Sequence, residues 1–174
     1  MNPTNYGGSM NPTIRPASMD DLDGVVASTA ALFAEDAGER DPLRNPNWPE
    51  QHGTQWCREL LSNPNALVLV AVAGAGVGGH LVGNLYDPSD MWTVARAELV
   101  SMYVRPELRG QGVGGQLVDS FAEWARSRGA ASLQVTAYAA NAAALALYQS
   151  RGFAPLSITL TADAGEPPTP TNHG

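Results

Sequence analysis

The sequence has very little cysteine and no lysine. Cys57 is the only cysteine among 174 residues, so no disulfide can form within the chain and metal sites built from paired cysteines are excluded. The ten basic residues are all arginine and are outnumbered by 17 acidic residues, which gives a net charge of −7. General nucleic-acid binding needs a clustered basic surface and is therefore not expected.

Long apolar runs are also missing, which excludes a membrane span, and the first residues lack the pattern of a secretion signal. A hydrophobic fraction of 44% and a charged fraction of 16% are typical of a globular protein, and the length fits one domain. We expect a flexible leader over residues 1–12, a domain over 13–160 and a flexible, proline-rich tail over 161–174. With one cysteine, a reducing, cytoplasmic location is expected.

Hydrophobic periodicity predicts an α+β fold with a mixed, mostly antiparallel central sheet flanked by helices. Three apolar runs follow one another and predict an antiparallel meander. Ser18 and Asp21 predict a cap for the first helix. Strands are predicted over 13–18, 66–73, 79–86, 94–106, 131–138 and 153–160, and helices over 19–36, 50–61, about 112–128 and about 141–151.

Two glycine strings have the spacing G-x-G-x-x-G, "AGAGVGG" at 73–79 and "RGQGVGG" at 109–115. A phosphate-binding loop needs backbone N–H groups that converge on oxygen atoms and a helix that starts directly afterwards. The first string leads into another strand, which predicts a hairpin turn. The second leads into an amphipathic helix, so it is the candidate for phosphate binding.

The stretch "LVSMYVRPELRGQGVGGQLV" resembles the acyl-CoA loop of the GCN5-related N-acetyltransferases. Two motifs of that family occur in order: [RQ]-x-x-G-x-[GA], and N-x-x-A-x-x-x-Y followed by a Gly-Phe pair. They are matched by Arg109, Gly112 and Gly114, and by Asn141, Ala144, Tyr148, Gly152 and Phe153. The resemblance covers about residues 13–160 and implies acetyl-CoA as co-substrate, with no metal.

The resemblance also implies which residues bind the cofactor. The backbone of the strand end Met102, Tyr103 and Val104 would pair with the pantetheine arm, and Asn141 would add a polar contact. Asn141 alone would more often be a helix N-cap. The pyrophosphate would be held by the loop residues Arg109, Gly110, Gln111, Gly112, Val113 and Gly114.

Transfer of an acetyl group from a thioester to an amine needs a neutral amine and a stabilised leaving thiolate. Glu98 lies eleven residues before Arg109, the offset of the general-base glutamate in the histone-acetylating branch of the family. The alternative, to which we give equal weight, is that Glu98 lies at an edge or end of the strand and is simply solvated. The family role for Tyr148 is that of general acid, and its alternative is an aromatic anchor of the core.

The acceptor is less well specified. Phe33, Glu35 and Asp36 lie where the first helix would form one wall of the acceptor pocket, and their charge predicts a cationic amine on a small molecule or peptide. A solvated acidic loop is the alternative. The function expected is N-acetyl transfer within a ternary complex. Use of a longer acyl-CoA as donor, a non-catalytic acyl-CoA sensor and a dinucleotide oxidoreductase are the alternative functions. A homodimer is a possible oligomeric state.

Overall fold

The computed structural model describes residues 12–74 and 76–165. These ranges contain five strands and four helices, as expected for an α+β fold, with 3₁₀ turns at Met19–Asp21 and Pro106–Leu108. In chain order the elements are β1 Thr13–Pro16, α1 Leu22–Glu39, α2 Trp48–Ser62, β2 Ala66–Ala73, β3 Gly76–Tyr86, β4 Arg96–Val104, α3 Val113–Ser127, β5 Ser132–Val135 and α4 Ala142–Gln149. Within these described ranges, no helix has the length and apolar character needed to cross a bilayer.

The sheet has the order β1-β2-β3-β4-β5. Its first four strands are antiparallel neighbours, and β5 joins β4 in parallel, so the predicted mixed, mostly antiparallel sheet is confirmed. The first glycine string is confirmed as a hairpin: Gly74 has a φ of 61° and lies at the turn between β2 and β3. This turn leads into a strand, so no helix N-terminus is available there to hold an anion.

A β-bulge in β4 sets the geometry of the sheet next to the site. Val82 of β3 pairs with Ser101, whereas Gly83 pairs with Leu99, so Val100 is the extra residue. The parallel ladder to β5 includes only Arg96–Leu99 of β4. From Val100 onward β4 therefore continues without β5 beside it, and the two strands part at the bulge.

Apolar side chains form one core on each face of the sheet. Phe121 and Leu117 of α3 are fully buried in one core, and Val25 of α1 and Cys57 of α2 are fully buried in the other. Burial of a side chain of this size contributes about 1.5–3 kcal/mol. These two cores fix α3 on one face and the α1/α2 pair on the other.

The predicted capping arrangement of Ser18 and Asp21 is present at the 3₁₀ turn Met19–Asp21, which leads directly into α1. The backbone N–H of Ser18 donates to Oδ2 of Asp21 at 2.8 Å, and Arg15 donates to both carboxylate oxygens at 2.7 and 2.8 Å. The Arg15 hydrogen bonds hold the pKa of Asp21 well below its usual range. This pairing ties β1 to the beginning of α1.

The predicted strand over 153–160 is wrong. Residues 154–165 have neither helix nor strand structure, and Leu156, Ile158 and Leu160 are 84%, 84% and 87% exposed. A strand exists only where a neighbour pairs with its backbone, and no residue of the described ranges pairs with this segment. The strand predicted over 131–138 is shortened to β5 for a related reason, because its partner β4 turns away at the Val100 bulge.

The proposed domain limits stay a prediction. Residues 1–11 of the expected leader and 166–174 of the expected tail lie outside the described residues. The described part of the tail, residues 161–165, is exposed and without regular secondary structure.

Candidate active site

The free part of β4 and the start of α3 lie next to each other and form the candidate site. Met102, Tyr103 and Val104 come after the bulge, and β5 offers them no strand partner. The side chain of Tyr103 is buried, and those of Met102 and Val104 pack against the core of α3. An extended amide-containing ligand could therefore pair with this edge as a further strand would.

The loop from β4 to α3 is shaped by glycines with positive φ. Gly110 has a φ of 74°, and Gly112, the N-cap of α3, has a φ of 81°. A side chain at either position would strain the backbone. No side chain caps α3, and its first turn carries no acidic residue. The first backbone N–H groups of α3 are therefore open to an anion, and the helix dipole favours one there.

Gln111, Val113 and Gly114 make contacts within the protein. Val113 is 2% exposed and packs in the α3 core, and a Cβ at Gly114 would lie 3.2 Å from the side chain of Leu147. Gln111 donates from Nε2 to the carbonyl of Glu107 at 2.8 Å. Of the six residues predicted here, Gly110 and Gly112 with their positive φ and Arg109 with its charge carry the features suited to a phosphate.

Arg109 connects the loop to α1. Its Nη2 donates to Glu35 at 2.6 Å, and its Nε donates to the carbonyl of Val104 at 2.8 Å. Burial alone would raise the pKa of Glu35, but Arg109 and Arg40 outweigh it and lower that pKa below its ordinary value. In this structure the arginine predicted for the pyrophosphate thus bridges the end of β4 and Glu35 of α1.

The predicted acceptor residues are engaged within the protein. Asp36 is buried and accepts from Arg40 at 3.0 Å, and Arg40 also pairs with Glu35 at 2.8 Å. The ring of Phe33 stacks on Trp48 at 5.3 Å, and the Arg44 guanidinium lies 4.0 Å from its centre. Glu35 and Asp36 therefore belong to an ion-pair network with Arg40 and Arg109, beside aromatic rings, and the sequence pattern did not reveal these partners.

Tyr148 lies on α4 with its ring in the α3 core. Its side chain is 7% exposed and meets Phe153 edge to face at 5.8 Å. Burial raises the pKa of the phenol to about 12. The phenol therefore keeps its proton at neutral pH. Tyr148 can therefore be both an aromatic anchor of the core and a proton donor.

The sequence left the contacts of Glu98 and Asn141 open, and the structure shows a side-chain hydrogen bond for each. Glu98 is half-buried in the paired part of β4, opposite Asn84, and accepts a hydrogen bond from the Tyr86 hydroxyl at 3.2 Å. Asn141 is the N-cap of α4, and its Oδ1 accepts from the N–H of Ala144 at 3.1 Å. The amide nitrogen of Asn141 and the second lone pair of its Oδ1 are left for a ligand.

The structure also shows a buried histidine beside the site that the sequence did not point to. His80 of β3 is fully buried, with Nδ1 2.7 Å from the Ser28 hydroxyl on α1 and Nε2 2.9 Å from the Ser101 hydroxyl on β4. Burial lowers the pKa of His80 to about 4, so the ring is neutral. These contacts tie α1 to β4 next to Met102. The partners lie 52 and 21 residues away in the chain, so no local pattern could reveal them.

Within residues 12–74 and 76–165, no group of three or more histidine, cysteine, aspartate or glutamate side chains is placed to hold a metal ion. Cys57, the single cysteine, is buried and free.

The family is decided by a match between residues 31–153 and the model of the acetyltransferase (GNAT) family. The chain belongs to the GNAT acetyltransferase family. It is therefore grouped with acyltransferases, and the recognition made from Arg109, Gly112, Gly114 and the Asn141–Phe153 motif is confirmed. The match also removes the dinucleotide oxidoreductase from the alternatives.

Individual relatives agree with this assignment. The chain is 28% identical over 147 residues to an L-methionine sulfoximine/L-methionine sulfone acetyltransferase of Pseudomonas paraeruginosa, covering 83% of this chain and 81% of the relative. It is 31% identical over 94 residues to the thialysine N-ε-acetyltransferase of Bos taurus, covering 54% of this chain. That match spans about half of the bovine enzyme, 51%.

A solved structure confirms the fold. The aminoglycoside N-acetyltransferase AAC(6')-Iy, in complex with CoA, superposes with a TM-score of 0.67 at 15% identity, covering 87% of this chain and 98% of that one. At this identity the likeness supports the GNAT fold and leaves the substrate of this chain open.

Proposed function

We propose that the protein transfers the acetyl group of acetyl-CoA directly to a primary amine of a small molecule or peptide within a ternary complex. The observation that carries the proposal is the juxtaposition of the uncapped start of α3 with the free edge of β4. The start of α3 suits a diphosphate, and the free edge of β4 suits the amide-containing pantetheine arm. Together they fit an acyl-CoA.

The first chemical task is to deprotonate the amine. An aliphatic amine has a pKa of about 10.4, so it is mostly protonated at neutral pH and needs a base. Glu98 is the carboxylate that β4 presents in its paired part, and it would take the proton directly or through water. The neutral nitrogen then attacks the thioester carbonyl, and a backbone N–H of the free β4 edge would polarise the carbonyl oxygen.

The second task is to release the thiolate. The C–S bond breaks as the C–N bond forms, and the electron pair goes to sulfur. Tyr148 is protonated at neutral pH, since its pKa lies above the ordinary value of 10, so its hydroxyl would donate a proton to the leaving sulfur. The nitrogen loses its second proton as the amide forms, and this proton would return Tyr148 to its protonated state through solvent. Direct transfer is supported by the position of Cys57, which is buried in the core between α2 and the sheet and is therefore not accessible as an acyl carrier.

The acceptor class is inferred from the relatives' names and from the wall by α1. An amino-acid analogue, a lysine analogue and an aminoglycoside are named among the relatives, and each name denotes an amine-bearing small molecule. Glu35 is half-buried between two arginines. When Arg109 turns to a diphosphate, Glu35 keeps a single arginine and gains capacity for an acceptor cation. A cytoplasmic location is part of the proposal and is tested by cell fractionation.

The experiment measures free CoA thiol during incubation of the full chain with acetyl-CoA and one amine at a time. The amines are methionine sulfone, thialysine, an aminoglycoside, a polyamine and a short peptide. We expect thiol release above the rate of hydrolysis with at least one amine, and intersecting initial-rate lines for direct transfer. Parallel lines would indicate a covalent intermediate instead. Acetyl-CoA binding without thiol release for any amine would favour the sensor. Faster release from a longer acyl-CoA would favour that donor.

A further inference from the structure

A cation and an anion lie two residues apart on one face of β4. Arg96 and Glu98 occupy alternate positions of the strand, so their side chains project to the same side of the sheet. Glu98 pairs with Asn84 of β3, and Asn84 is two residues from Val82, which is buried in the α1/α2 core. Arg96 and the proposed base therefore share the α1/α2 face, about 6.6 Å apart along the strand.

Arg96 is half-buried but forms no ion pair with any described residue. Its guanidinium lies 4.0 Å from the centre of the Trp92 ring and 5.5 Å from that of Tyr86. Its Nη1 donates to Oε1 of Gln134 at 3.1 Å. All of these partners are uncharged, so the positive charge is held in a fixed place without a counter-charge.

Two free donors beside this charge suit an anion with two oxygen atoms. Nη2 of Arg96 has no hydrogen-bond partner in the part of the chain that the structure describes, and the same is true of Nε2 of Gln134. Neither nitrogen is enclosed, so a ligand can reach both. Gln134 lies opposite Glu98 in the parallel ladder, which places these donors beside the proposed base. A carboxylate accepts hydrogen bonds from both kinds of donor.

We propose that the acceptor is an amino acid, whose carboxylate is bound by Arg96 and Gln134 and whose amine is presented to Glu98. The inference rests on the proposed function for the role of Glu98. The carboxylate takes no part in the transfer, so Arg96 is a binding residue. An amine without a carboxylate would leave Arg96 without a counter-charge, and the site therefore discriminates against it.

The test measures acceptor binding to the full chain in the presence of CoA, which carries no acetyl group and so permits no turnover. Calorimetric titration uses a panel of L-amino acids with different side chains, each as the free acid and as its primary amide. Wild type is expected to bind at least one free acid about 10- to 150-fold more tightly than its amide, the range for hydrogen bonds to a charged group.

Arg96→Gln should remove this preference, because it weakens binding of the free acid and leaves binding of the amide unchanged. Arg126→Gln is the matched control: it removes the same charge from an exposed arginine of α3, on the other face of the sheet, and should keep the preference. The acid and its amide also differ in the pKa of the amine, and comparing the variants cancels that difference. Equal binding of the amide by all three proteins also shows that the variants are folded.

Other results would overturn the inference. Wild type that binds no free acid of the panel, or binds acid and amide equally, does not recognise a carboxylate. Equal weakening of acid and amide in Arg96→Gln would show that Arg96 supports the fold instead.

Thiol release judges the proposed function separately. Acetylation of amines without a preference for the free acid would keep the transferase and reject the amino acid as its acceptor. A carboxylate preference in binding without thiol release would support the Arg96 subsite and contradict acetyl transfer.

Discussion

His80 gives a quantitative prediction for how stability depends on pH. Its ring is fully buried between Ser28 and Ser101, and both of its ring nitrogens are engaged by hydroxyl groups rather than by a carboxylate. Burial lowers its pKa from the ordinary 6.5 to about 4. Between these values the unfolded chain binds a proton that the folded protein does not, so stability is complete above the unfolded pKa and falls as the pH is lowered toward the folded one.

The size of this stability loss is set by the difference between the pKa values of His80 in the unfolded and the folded protein. Proton linkage at this one residue amounts to about 3 kcal/mol when fully developed, and to about 2 kcal/mol at about pH 5. Total stabilities of domains are about 5–15 kcal/mol, so the loss is easily measured.

The assay is urea denaturation of wild type and His80→Gln at about pH 7.5 and about pH 5. The carboxyl groups titrate in both proteins, so their contribution to the pH dependence of stability cancels when the two proteins are compared. The stability advantage of wild type over His80→Gln should therefore shrink by about 2 kcal/mol between the two pH values. His52→Gln is the control: it removes an exposed histidine and should behave like wild type at both pH values. The reasoning would be refuted if the unfolding free energies of wild type and His80→Gln changed by the same amount between the two pH values.

Three further predictions concern catalysis and packing. Tyr148→Phe should lower kcat by about 10²-fold or more with little change in the KM for acetyl-CoA, because only the proton donor is lost; an unchanged kcat would leave Tyr148 as a core anchor. Glu98→Gln should lower kcat most at low pH and recover as the free amine increases, in steady-state rates across pH; a uniform loss would argue against a base. Gly83→Ala should cost about 1–3 kcal/mol in denaturation, since its Cβ would lie 2.7 Å from the Phe121 ring, whereas Gly38→Ala, with open space around it, should not destabilise.

Much of the fold could be predicted because the signals were local. The two glycine strings have the same spacing, and the next element in the chain distinguished them: a strand after "AGAGVGG" and a helix after "RGQGVGG". The meander and the cap at Ser18 and Asp21 also depend on neighbours in the chain. Such features are encoded within a few residues and can be seen without a structure.

The remainder depends on contacts between distant residues. The segment with Leu156 and Ile158 has the alternation of a strand, but whether a strand forms depends on a partner that the sequence pattern does not reveal. The pairing of Glu35 with Arg109 spans 74 residues, so an acidic stretch expected to line an open pocket is already neutralised. The buried contacts of His80 were hidden in the same way.

The central claim is that the start of α3 binds the diphosphate of acetyl-CoA, and calorimetric titration of acetyl-CoA tests it most directly. Gly112→Ala and Gly74→Ala make a matched pair, because both residues have positive φ and only the first lies at α3. The account predicts that wild type and Gly74→Ala bind equally well and that Gly112→Ala binds about 5- to 150-fold more weakly, since strain of about 1–3 kcal/mol would displace the anion-binding amides. No heat with wild type, or equal binding by all three, would contradict it.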